Sequence, residues 1–102
     1  MKKITAKYED GLKEALLNPH EAAEYLNAAL EDGSPEVFLM ALRDIAEAKG
    51  ISKIAKQSHL NRENLYRILS TNGNPKLTSL TSVLHSIGLK LAIDVESGAV
   101  SK

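Results

Sequence analysis

The sequence predicts a mainly α-helical fold of five to six helices, closed by one C-terminal β-strand. Three observations predict it. Apolar residues recur at helical spacing from about residue 10 to residue 88. Helix start and stop signals punctuate that pattern. The stretch "LKLAIDVE", residues 89 to 96, then switches to strict alternation. At 102 residues the chain has the length of one domain able to bury most of its surface around one core.

A short helix, Asp10 to Leu17, comes first. Asn18-Pro19-His20-Glu21 then supplies an N-cap, a proline at the first helical position and a capping-box glutamate. The helix this begins carries Ala22, Leu26, Ala29 and Leu30 on one stripe and ends before Gly33. Ser34-Pro35 repeats the start signal; Phe38, Leu42, Ile45 and Ala46 form the next stripe, closed by Gly50. Two short helices follow, about Ser52 to Ser58 and Arg62 to Ser70. "NGNP", residues 72 to 75, is a turn. Leu77, Leu80, Leu84 and Ile87 define a last helix, stopped by Gly88. In the tail, Leu89, Leu91, Ile93 and Val95 alternate with Lys90, Ala92, Asp94 and Glu96, a strand with one apolar face. "KITAKY" near the N-terminus also alternates and is a competing pairing partner for it. No repeat, low-complexity tract or linker interrupts the chain.

Composition removes several classes of function. Apolar residues are 43% and charged residues 25%, ordinary for a globular protein and unlike a disordered one. The absence of cysteine excludes disulfides, thiolate zinc sites and cysteine nucleophiles. No apolar run approaches the roughly 18 residues of a membrane span, and "MKKITAKYED" lacks a signal peptide's hydrophobic stretch. The expectation is a cytoplasmic protein without a membrane partner. "HEAAE", residues 20 to 24, opens like a zinc-protease motif but has Glu24 where the second histidine must stand. His20, His59 and His85 fall in three separate elements. With no phosphate-binding loop and no nucleophile beside a base, neither an enzyme, a cofactor, a metal nor a small-molecule substrate is expected.

The formal net charge is zero, yet the charges are partitioned. From Glu9 to Glu47 ten acidic residues face two basic ones, Lys13 and Arg43, a balance of −8. From Lys49 to Lys76 six basic residues face one acid, Glu63, a balance of +5. Such asymmetry points to two surfaces for two kinds of partner.

The basic half holds "SHLNRENLYRIL", residues 58 to 69. Ala55 is the small residue where two helices would cross, and Ile51, Ile54, Leu60, Leu65 and Ile68 would fix the pair to the core, as a helix-turn-helix requires. Arg62, Glu63, Asn64, Tyr66 and Arg67 then line the second helix. Arginine can bond guanine bidentately and asparagine can do the same to adenine, while Lys49, Lys53 and Lys56 are placed to meet phosphates. Two residues depart from the usual turn. Ser58 is polar where partial burial is expected, and His59 stands where a left-handed backbone favours glycine.

Residues 25 to 91 resemble the addiction-module antidote proteins, HigA-like antitoxins with a helix-turn-helix of the phage-repressor type. The resemblance is carried by "YLNAALEDG", "FLMALRDIAEAKG" and "LYRILSTNGNP" and covers about two-thirds of the chain. The chain is read as acidic N-terminal helices over 1–33, a repressor-like DNA-binding core over 34–88 and a strand over 89–96 expected to serve dimerisation. The resemblance implies a RelE-like toxin partner, an mRNA endonuclease, and autorepression of a shared operon. Carried over by position, Arg62, Glu63, Asn64, Tyr66 and Arg67 would contact operator DNA, with Lys53 and Gln57 near its backbone. A repressor without a toxin and a pure protein-interaction module are the alternatives.

Two further expectations complete the reading. Specific recognition should need a homodimer on an inverted repeat, and the apolar strand face Leu89, Leu91, Ile93 and Val95 would pair with its own copy. A nuclease that binds RNA should present a basic cleft, so the acids Glu21, Glu24, Glu31 and Asp32 are the expected toxin contacts.

Overall fold

The computed structural model describes residues 11–70 and 72–96 and places a helix at each start signal. Helix α1 spans 11–16 among the described residues. It is followed by α2 (Pro19–Glu31), α3 (Pro35–Lys49), α4 (Ile51–Gln57), α5 (Arg62–Ile68) and α6 (Leu77–Ser86). Asn18 caps α2 as expected: its Oδ1 accepts from the backbone N–H of His20 at 2.8 Å and of Glu21 at 3.3 Å. Ser34 does not cap α3 with its side chain. Its hydroxyl donates instead to Glu36 Oε1 at 2.6 Å, which holds the Glu36 carboxyl below the usual glutamate value, with a backbone N–H adding to the effect.

Helix α2 packs on α3, α3 on α4, and α4 on both α5 and α6. Leu42, Ile45, Ile54, Leu65, Leu69, Val83 and Ile87 are the largest fully buried side chains, so the core sits where α3, α4, α5 and α6 converge. The predicted stripes need four adjustments. Leu30 is 55% exposed and Leu77 67% exposed. Leu39 and Val83 are buried in their stead, displacing Phe38 and Leu80 to half-buried flanks.

The predicted C-terminal strand is not seen: residues 89–96 form no strand. Alternation gives a segment one apolar edge, but a strand also needs a neighbour to complete its hydrogen-bond ladder. No other described segment is a strand, and "KITAKY" lies outside the described residues, as does the Asp10 start of α1. Leu89 is half-buried against the core, and its N–H donates to Leu84 O at 2.8 Å. Beyond it Ile93 is 99% exposed.

Candidate functional site

The turn between α4 and α5 is built from backbone hydrogen bonds. His59 N–H reaches Lys56 O at 3.2 Å and Leu60 N–H reaches Ala55 O at 2.8 Å, the paired closure of a Schellman motif. That closure demands a left-handed residue, and His59 supplies it with φ 60°. The end of α6 makes the same two bonds, Gly88 N–H to His85 O and Leu89 N–H to Leu84 O, and there glycine takes the left-handed place with φ 83°. Ser58, next to the turn, is buried, and its Oγ finds no hydrogen-bond partner among the described residues.

Helix α5 is then started by Asn61, whose Oδ1 accepts from Asn64 N–H at 2.7 Å. Leu65 faces the core, which turns Arg62, Glu63 and Arg67 to solvent, with Asn64 and Tyr66 half-buried at their margin. Arg67 Nη2 donates to Asn64 Oδ1 at 3.0 Å, so these two side chains form one hydrogen-bonding unit. Lys53, Lys56 and Gln57 are exposed on α4. Lys49 departs from the expected basic set: its ammonium is drawn to Leu17 O at 3.4 Å, at the end of α1. Sequence reasoning also missed Arg43. This cation in the middle of α3 lies over the Tyr66 ring, 5.2 Å from its centroid, and pairs with Glu47 at 3.4 Å. Its one signal in the sequence is a cation in an acidic stretch.

The acidic side is organised around Tyr25. Its hydroxyl donates to Asp44 Oδ2 at 2.8 Å, joining α2 to α3. On one side of Tyr25, Glu21 and Glu24 border a hollow lined by Leu12, Ala15 and Leu16. On the other, Asp32 and Asp44 border a furrow lined by Ala28, Val37 and Met40. Three of the four acids predicted as partner contacts therefore lie beside apolar surface; Glu31 is exposed but borders neither. Helical periodicity along α2 alone could not show this, because the furrow needs residues of α3.

Gln57, His59, Ser82, His85 and Ser86 line a polar cleft that brings two of the three histidines together. Among the described residues no group of three or more His, Cys, Asp or Glu could hold a metal ion, and no helix is long and apolar enough to cross a membrane.

Exposed polar side chains thus stand on α5, and acids stand beside apolar hollows at α2 and α3. Comparison with known proteins supplies a family. Residues 8–95 match the family model described as "Probable addiction module antidote protein", and the chain belongs to that family. A Haemophilus influenzae protein described as "Uncharacterized protein" is 36% identical over 80 residues, covering 78% of this chain and 82% of that one. No solved structure matches. Members of this family are antidotes and not enzymes, and an antidote has a toxin as its partner.

Proposed function

We propose that this chain is the antitoxin of a type II toxin–antitoxin module. It neutralises a RelE-like mRNA endonuclease by direct binding and represses its own operon through α4, the turn and α5, acting as a helix-turn-helix of the phage-repressor, HigA-like type. The observation that carries the DNA half is the outward face of α5. Arg62, Glu63 and Arg67 are free of the core and Asn61 orders the first turn, while Lys53, Lys56 and Gln57 stand exposed on the helix before it. This arrangement suits base-edge contacts from α5 and phosphate contacts from α4.

A single helix-turn-helix offers few base contacts, so the operator should be an inverted repeat with half-sites about 34 Å apart, read by a homodimer. Residues 89–96 suit the dimer contact, since Leu91, Ile93 and Val95 stay exposed in a segment that lacks a ladder partner. Leu89, packed on its own core, would anchor the segment and not bridge copies.

The test is titration of DNA from the chain's own promoter region, at several salt concentrations. Arg62→Ala and Arg67→Ala should each lose about 1–3 kcal/mol where the arginine reads a base bidentately. Lys53→Ala should weaken binding evenly across sequences and flatten the salt slope. Unchanged affinity and slope in all three variants would overturn the DNA-binding assignment. A chain cut after Gly88 that stays fully dimeric by solution mass would overturn the tail-mediated dimer.

A further inference from the structure

The furrow between α2 and α3 has a chemistry of its own. Its floor is made by the small residues Ala28, Ala29 and Ala41, which leave room between the two helices. Met40, 52% exposed, and Val37, 37% exposed, stand beside that floor without being used by the core. Its ionisable margin is Asp32 and Asp44, with no lysine or arginine among its lining residues. Tyr25 holds the Asp44 carboxylate by its 2.8 Å hydrogen bond and separates the furrow from the Glu21 and Glu24 hollow. Isolated exposed apolar residues are normal on any protein, but here two large ones share a concave site with flanking charge.

We infer that this furrow is the anchoring site for a basic amphipathic helix of the toxin, which lays an apolar ridge against Met40 and Val37 and brings lysines or arginines to Asp32 and Asp44. The inference rests on the antitoxin reading and adds to it the apolar anchor. Both walls are helices whose backbone groups are satisfied internally, so a strand has no edge to join; a helix laid in a groove is the mode that fits. Methionine adapts its shape to such a ridge. The charge argues against nucleic acid and against the acidic end of a second copy's tail. Nucleic acid would meet carboxylates. The exposed apolar tail of a second copy carries Asp94 and Glu96 beside Ile93 and Val95, and would bring acid against acid. Two furrows meeting face to face would do the same.

The test uses the full chain and the toxin produced from the same locus, bound in titration calorimetry. Met40→Lys and Ala28→Lys change exposed positions of α3 and α2 and put cations into the furrow. Each should weaken toxin binding at least about tenfold, as loss of an interface anchor does, while the melting temperature and binding to promoter DNA stay as in the parent chain. Met40→Leu should keep most of the affinity. If the parent chain binds toxin and both lysine variants bind it within about twofold of the parent, a change too small for a lost anchor, the furrow assignment is overturned and the antitoxin reading stands. If the parent chain does not bind the toxin at all, both fall together.

Discussion

Replacing Ser58 with alanine should make this protein more stable, and the structure sets the size of the effect. Ser58 closes α4 with its backbone N–H bonded to Ile54 O at 2.9 Å, a contact the substitution leaves untouched. Only the hydroxyl is lost. That hydroxyl is buried and without a partner among the described residues, and a buried donor left unpaired costs about 1–3 kcal/mol. Removing one oxygen leaves almost no cavity, and the residue lies past the last helical position, so helix propensity contributes little. The expected gain is about 1 kcal/mol, the lower end, because nearby groups relax toward a buried hydroxyl. For a domain of this size that is a rise of about 4–8 °C in melting temperature. Urea unfolding followed by circular dichroism should show a higher midpoint at unchanged slope. Ser52→Ala, at an exposed position of the same helix, should stay within about 0.5 kcal/mol of the parent. A Ser58→Ala midpoint equal to or below the parent's would refute the reasoning and show that the hydroxyl makes a bond worth keeping.

Four more outcomes are expected. His59→Gly should stabilise by about 0.5–1 kcal/mol in thermal melts, since relief of about 1–2 kcal/mol of left-handed strain exceeds glycine's extra freedom in the unfolded chain. Asn61→Ala should lose about 1 kcal/mol by removing the α5 cap, with urea unfolding as the check. Gly73→Ala should destabilise by about 1–3 kcal/mol, because an added Cβ would strike the Ile68 carbonyl, a fixed backbone group. Glu36 should titrate below an ordinary glutamate in NMR, and Ser34→Ala should raise it. Because its folded value is depressed, its contribution to stability is present above the unfolded value and lost as pH falls through the folded one.

Local signals were legible in the sequence and tertiary ones were not. Asn18-Pro19, Ser34-Pro35, Gly50 and Gly88 mark helix ends through chemistry confined to one turn, and the ends fall there. Even the awkward His59 was legible, because a Schellman closure fixes one backbone angle whatever residue occupies it. Leu30 and Leu77 show the limit: spacing says which side of a helix is apolar, but not how fully its neighbours cover that side. The tail shows it again, since alternation describes one segment and a strand is a property of two. Of the candidate site, the α5 face could be read from a single helix. The Arg43–Tyr66 contact and the Tyr25–Asp44 bond join residues 23 and 19 positions apart, and no periodicity reports them.

Those two contacts also explain how one small protein can keep opposite charges apart. Arg43 and Asp44 are neighbours in sequence, and neighbours on a helix diverge by about 100° around its axis. Arg43 therefore turns toward α5, where it lies over Tyr66, and Asp44 turns toward α2, where Tyr25 holds it. Helix α3 is the wall between the two faces, with its apolar residues Leu42, Ile45 and Ala46 buried along it. Were the pair reversed, the face proposed to meet DNA phosphates would lose the cation that offsets Glu47, and a guanidinium would stand beside the furrow proposed to hold a basic helix. The order of two residues on α3 thus turns one cation toward α5 and one carboxylate toward α2, as the proposed pair of partners requires.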